Sequence, residues 1–274
     1  MTFDASEESP LHWSLCAEDS ACLRLLLGTK ADVELRGGLG LTALNTAAND
    51  GIGMPFVDIL LQFGANIESK DIYGQRPLHR ATIRNHGPMS AVLLKKGADI
   101  NATTSAGTTA LHLALTSNTN EVLRTLLDNA NLDYNVKDVY WGTLLHYAAY
   151  YADIETLDIL KSKRLEELDI ADKNGLEDGY TAMQYASWRK DFNEKWSKAL
   201  KQPRDDDPVR WYVALQELLD SITTAINLSA GRFPNEGGVT ERHMFAESSD
   251  EEDCEENGNP ELWQDALEEP REII

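Results

Sequence analysis

Apolar residues recur along the chain in two alternating kinds of segment. Short runs such as LTALNTA, QRPLHRA, TTALHLA and GTLLHYA place Leu44, Leu78, Leu111 and Leu145 in one column, with Leu11 before them and Met183 after. The steps between these residues are 33, 34, 33, 34 and 38, a period that marks a stacked array of similar units. A second kind of run follows about twenty residues later in each unit: CLRLLLGTKADV, FVDILLQFGANI, AVLLKKGADI and VLRTLLDNANLD. Its apolar residues fall at helical spacing and lead into a Gly or small residue and then Ala-Asp or Ala-Asn, the pattern of a helix that ends and turns. Each unit therefore reads as helix, tight turn, helix, extended loop.

Local chemistry agrees with the period. Pro55 and Pro88 share the register slot that opens the second helix, where a missing backbone N–H is harmless. Gly51, Asn85 and Asn118 share the slot between the helices, which suits a left-handed residue. The fifth unit departs from the pattern, its second helix leading into KSKRLEELDIADKNGLEDG, and the sixth keeps only its first helix in good register. Beyond it, Tyr185, Trp188, Phe192, Trp196 and Ala199 form one helical stripe, and Tyr212, Leu215, Leu219, Ile222 and Ile226 form another. These predict two longer helices joined by KQPRDDDP that close the stack, because the end of an array needs an outer face that can meet water.

The runs RPLHRA, TALHLA, FGANI and KGADIN, with DIYGQRPLH as a loop-plus-helix opening, resemble ankyrin-repeat signatures. The resemblance covers roughly residues 9 to 190 and recurs five to six times, which makes it far more specific than one motif. It implies an all-α solenoid of helix-turn-helix units with finger loops. The expected organisation is an ankyrin-repeat array over 9–190, with repeats starting near 10, 42, 76, 109, 143 and 181, then capping helices over 191–230. Residues 231–274, rich in Glu, Gly, Asn and Pro, are expected to form a largely disordered acidic tail. Its acidic run followed by Trp-Gln-Asp-Ala-Leu also resembles the ends of ankyrin proteins of filamentous fungi.

Charge sharpens the functional reading. The chain has 274 residues and a net charge of −21; residues 1–230 carry 22 Lys and Arg against 32 Asp and Glu, and residues 231–274 carry 3 against 14. So acidic a chain repels phosphates, so no nucleic-acid partner is expected. No segment is apolar over a membrane-spanning length, and the first twenty residues lack a signal peptide's basic start and apolar run. Cys16, Cys22 and Cys254 lack metal-ligand spacing and read as reduced thiols, with Cys16 and Cys22 as small apolar fillers of the first repeat. The expectation is a monomeric cytoplasmic or nuclear protein without a membrane partner.

Candidate chemistry is sparse. His12, His79, His112 and His146 recur in register, but packed helices stand about 8 to 10 Å apart, too far for equivalent histidines to share a metal with bonds of roughly 2 Å. Asn45 and Gln184 fill the same slot, so the position asks for a polar bridge, not acid–base work. RGGLGLTAL lacks the P-loop Lys-Ser/Thr and a preceding strand and reads as a finger turn before a helix opening at Thr42. No catalytic constellation, metal site or cofactor is expected. Ser248 and Ser249, followed by Asp250, Glu251, Glu252 and Asp253, suit an acid-directed kinase, and equally a solubilising tail.

The family resemblance also implies a binding face. In ankyrin-like repeats the fingers and first helices form a concave surface, and in the fifth repeat its variable positions are Val139, Tyr140, Gly142, Tyr150 and Tyr151. Trp141 stands where the finger Gly is usual, Tyr73 and Arg84 of the third repeat extend the face, and Tyr147 is expected to be partly buried. Tyr and Trp often carry interface energy, which points to binding of another protein through Tyr73, Arg84, Tyr140, Trp141, Tyr150 and Tyr151. The bland alternative is that the aromatics cover an irregular fifth unit. Two further readings stand beside it. The tail could bind a partner through Leu262, Trp263 and Leu267. The chain could also be the terminal or regulatory part of a larger signalling or enzyme protein, because the first repeat begins by residue 10 without a dedicated cap.

Overall fold

The computed structural model describes residues 9–16, 20–50, 54–117, 119–139, 142–163 and 208–229. All lie in the first of two compact units, Met1–Gly231; the second, Arg232–Ile274, lies outside the described residues. So do the expected sixth repeat with Met183 and Gln184, the Tyr185-to-Ala199 stripe, Gly51, Asn118 and the thiol of Cys254.

The described residues form an all-α solenoid. Five helix pairs follow one another: α1 (Pro10–Cys16) with α2 (Ser20–Gly28), α3 (Ala43–Asp50) with α4 (Met54–Gln62), α5 (Pro77–Ile83) with α6 (Gly87–Lys95), α7 (Ala110–Thr116) with α8 (Asn120–Leu127), and α9 (Leu144–Tyr151) with α10 (Ile154–Ser162). A longer helix, α11 (Pro208–Ser229), packs on α10. First helices pack in a row, α1 on α3 through to α9, and among the second helices α2 meets α4 and α8 lies between α6 and α10.

The helix starts explain the recurring Thr-x-x-His. Thr109 and Thr143 occupy the N-caps of α7 and α9, and the third helical residue, His112 or His146, accepts the cap's backbone N–H on Nδ1 at 3.3 Å. The histidine does what Glu does in an ordinary capping box. The second helices of the first three repeats end with a six-to-one bond from the next Ala: Ala31 N–H to Leu26 O at 3.3 Å, Ala65 to Leu60 and Ala98 to Leu93 at 3.0 Å. That closure needs a left-handed residue just before the Ala, supplied by Gly64 (φ 89) and Gly97 (φ 95), and by Lys30 (φ 64) in the first repeat. Asn85 fills the equivalent role between α5 and α6 at φ 55, as its slot predicts.

The leucine column is buried throughout, at Leu11, Leu44, Leu78, Leu111 and Leu145. Each fully buried Leu contributes about 1.5–3 kcal/mol relative to exposure. Much of that burial is supplied by neighbouring repeats, as the first repeat shows. Leu25 of α2 is 70% exposed, whereas Ile59, its register equivalent in α4, is 3% exposed. Trp13 is 55% exposed, whereas Tyr147 in the same register slot is buried. Cys22 is also exposed, while Phe56, Met89 and Val122 in its slot are buried. The expected role of Cys22 as a core filler is therefore wrong: within the described residues no repeat packs on that side of α2. The burial of Cys16 is outside what the structure describes.

At the other end α11 buries Trp211, Leu215, Leu218 and Ile222, with Tyr212 and Leu219 half-buried beside them. Of the expected stripe Leu215 and Ile222 are buried, Tyr212 and Leu219 give way to Trp211 and Leu218, and the side chain of Ile226 lies outside what is described. The difference has a polar cause: the Trp211 indole Nε1–H donates at 2.7 Å to the carbonyl of Ala152, the buried C-cap residue of α9. That bond turns Trp211 inward, and Lys161 of α10 pairs with Glu217 at the rim.

Candidate functional site: the finger face

Between helix pairs the chain makes a finger. Each is closed by a backbone bond across its base: Gly37 N–H to Leu41 O (2.8 Å), Asp71 to Gln75 (3.0 Å), Thr104 to Thr108 (2.9 Å) and Asp138 to Gly142 (3.1 Å). RGGLGLTAL is accordingly a finger, as expected, with a short 3-10 turn at Gly38–Gly40. Fingers are tied to their neighbours in one ladder, Ile72 N–H to Leu39 O, Ser105 to Tyr73 and Val139 to Ala106, at 3.0–3.1 Å.

The close approach explains the finger glycines. Gly74 (φ 72) and Gly107 (φ 77) adopt left-handed backbone, and a Cβ on them would lie 2.6 Å from Ser105 N and 2.9 Å from Val139 N. In sequence register Trp141 occupies this slot; it and Tyr140 lie outside the described residues.

Two further ladders fix the fingers. The Nε2–H of His12 donates to Leu41 O (3.0 Å) and that of His79 to Ala102 O (2.9 Å), so these two histidines bridge successive repeats as their sequence slot implied. At the loop ends, Asn66 N–H donates to Glu34 (2.8 Å), Asp99 to Glu68 (2.9 Å) and Asp133 to Asn101 (2.8 Å). In the second repeat Asn45 replaces the histidine; its Oδ1 accepts from Ser69 Oγ at 3.0 Å.

Burial lowers two of these histidines sharply. Desolvation takes His79 and His112 from 6.5 to about 4. For His79 the backbone N–H of Arg76, donated to Nδ1 at 3.1 Å, requires that nitrogen to stay unprotonated, and the Arg76 charge acts in the same direction. His112 Nε2 is buried without a hydrogen-bond partner among the described residues, and its ring meets Tyr147 edge-on at 4.6 Å.

Each of two fingers carries a buried carboxylate, held differently. Asp71 Oδ1 accepts from the backbone N–H groups of Tyr73 (2.9 Å) and Gln75 (2.8 Å), and its Oδ2 accepts from Arg80 Nε at 2.8 Å. Asp138, two repeats later, accepts from Gly142 N–H (2.6 Å) and from the Tyr147 hydroxyl (2.7 Å). The same offset of nine residues delivers Arg80 in one case and Tyr147 in the other. Tyr147 is thus buried more fully than expected, and Gly142 is a buried finger donor, not a surface position.

From Tyr147 the aromatics continue outward. Its ring lies 5.9 Å from that of Tyr151, which packs edge-on against Tyr150 at 4.6 Å. Tyr150 and Tyr151 are half-buried, and Tyr151 also touches the core. Tyr73 is half-buried at its finger tip; Arg84 is exposed, its Nε donating to Asn49 of the preceding repeat at 3.3 Å. Leu262, Trp263, Leu267, Ser248 and Ser249 lie outside the described residues. Val139, a concave-face position in the sequence, is 54% exposed, and so is Ile72, at 62%, which the sequence pattern did not single out. Both follow the finger Asp directly, and that position was the available signal.

The family model for ankyrin repeats (three copies) matches residues 11–104 and 51–138. Residues 11–138 are therefore ankyrin repeats. It is 33% identical over 168 residues to the B-cell lymphoma 3 protein homolog of Mus musculus, covering 60% of this chain and 36% of that protein. It is 39% identical over 109 residues to a putative ankyrin repeat protein of Rickettsia felis, covering 39% of this chain and 36% of that one. A third match, 44% identical over 73 residues, is the RelA-associated inhibitor of Mus musculus, covering 26% of this chain and 9% of the relative. The alignments thus span about a third or less of these ankyrin-bearing relatives. Among the described residues, no His, Cys, Asp and Glu group is placed to hold a metal, and no helix is long and apolar enough to cross a membrane.

Proposed function

We propose that this ankyrin-repeat chain binds another protein through its finger and first-helix face and acts as an interaction module or scaffold. The observation that carries the reading is the pair of exposed finger tips, Ile72 and Val139, held on rigidly laddered backbone. Apolar side chains kept in water on a preorganised frame are what an interface needs, because little entropy remains to be lost on binding. Tyr73, Arg84, Tyr140, Trp141, Tyr150 and Tyr151 are the proposed partner-contacting residues around them. One matched relative is named as an inhibitor associated with RelA, a name that refers to association with another protein. No catalytic role is part of this reading, and a cytoplasmic or nuclear setting suits it.

The test is affinity capture from native extract with the full chain and with a Trp141→Ala/Tyr150→Ala double variant, both verified as folded by circular dichroism. A protein retained by the full chain and lost from the double variant is expected. Identical catches from both would remove these residues from the interface.

A further inference from the structure

The fingers and first helices differ in charge from the chain that carries them. Residues 36–50, 70–84, 103–117 and 137–151 contain six cations (Arg36, Lys70, Arg76, Arg80, Arg84, Lys137) and three carboxylates (Asp50, Asp71, Asp138), a balance of +3 in a chain of net −21. The intervening second-helix segments, 51–69, 85–102 and 118–136, contain three cations and six carboxylates, a balance of −3. Burial widens the contrast. Asp71 is buried together with its partner Arg80, Asp138 is buried under the Tyr147 hydroxyl, and Arg76 pairs with Glu68 at 2.9 Å, which leaves Asp50 as the exposed carboxylate of the finger segments. Lys70 and Arg84 are exposed. Arg36 and Arg76 cross to the next repeat, donating to the carbonyls of Lys70 and Thr103, so the cations are held in register with the fingers.

We infer that the finger face takes an acidic segment of a separate protein, with apolar side chains spaced among its carboxylates. The inference rests on the proposed function and adds the chemistry of the partner. Carboxylates complement Lys70 and Arg84, and apolar side chains cover the tips of Ile72 and Val139. A nucleic acid would satisfy the cations and leave the tips in water, and its long run of phosphates would feel the repulsion of the whole acidic chain. An apolar, uncharged segment would cover the tips and leave the cations unmatched.

The experiment is selection from a displayed library of random peptides on the immobilised full chain, followed by anisotropy titration of the enriched sequences. The panel also includes a single-stranded oligonucleotide and a synthetic peptide copying residues 248–267. Expected are peptides with carboxylates flanking Leu, Ile, Phe or Trp that weaken as salt rises. They should bind a folded Lys70→Glu/Arg84→Glu variant at least ~10-fold less well. Enriched peptides without acidic residues, still weakened by Ile72→Ser/Val139→Ser, would overturn the acidic partner and keep the binding face. Enriched peptides indifferent to both variants, or no enrichment at all, would remove the face as well. Tightest binding by the oligonucleotide would replace the protein partner with a nucleic acid, and tightest binding by the 248–267 peptide would replace it with the chain's own end.

Discussion

Acid should unfold this protein through its buried histidines. His79 and His112 titrate near 6.5 in the unfolded chain and at about 4 in the folded one. Between these values the unfolded chain binds protons that the native state refuses, so stability is fully present above about pH 6.5 and falls as the pH drops toward 4. A difference of 2.5 pKa values amounts to about 3 kcal/mol per histidine at the low end, of which about 2 kcal/mol is lost by about pH 5. The assay is urea unfolding followed by circular dichroism at about pH 7.5 and about pH 5. The control is His79→Gln, since an amide bridges the same slot at Asn45 but cannot take up a proton. The wild-type chain should lose stability across this interval by about 2 kcal/mol more than the variant, whatever the variant's stability at neutral pH. Equal losses would show that His79 does not resist protonation in the fold, and the inter-repeat bridge to Ala102 would lose its energetic meaning.

Two substitutions test how repeats bury each other and how the fifth finger is held. Ile59→Ala should cost about 2–4 kcal/mol while Leu25→Ala, in the equivalent slot of the first repeat, changes stability by less than about 0.5 kcal/mol in the same urea titration. Comparable costs would mean that the outer side of α2 is covered. Tyr147→Phe removes a hydroxyl donor from the buried Asp138 carboxylate and should cost about 1.5–3 kcal/mol, read as a lower midpoint at unchanged slope. A neutral result would place the support of Asp138 in its other partners.

The sequence made the fold legible because an array states each structural rule several times. The Leu11-to-Leu145 column, the proline slots and Asn85 were each read from repetition and sit where the period placed them. Legibility failed where a residue's surroundings are not repeated. Cys22 matches buried residues in its column but lies on the end repeat, so periodicity assigned it a neighbour that the described residues do not contain. The α11 stripe missed Trp211 because that side chain is fixed by a single bond to Ala152, which no spacing rule records. Tyr147 read as part surface because the nine-residue relation between a finger Asp and its donor shows only once Arg80 and Tyr147 are seen reaching the same place. The exposed tip Ile72 escaped because an apolar residue in sequence is ordinarily counted toward a core.

The central claim is that the finger and first-helix face is where a partner sits. Its most direct test is backbone amide exchange of the full chain with and without a captured partner, read by mass spectrometry on peptides from each repeat. Slowed exchange at the fingers around Ile72, Ala106 and Val139 and at the end of α9, with α4, α6 and α8 unchanged, is the expected result. Slowed exchange on the second helices, with the fingers unchanged, would contradict it.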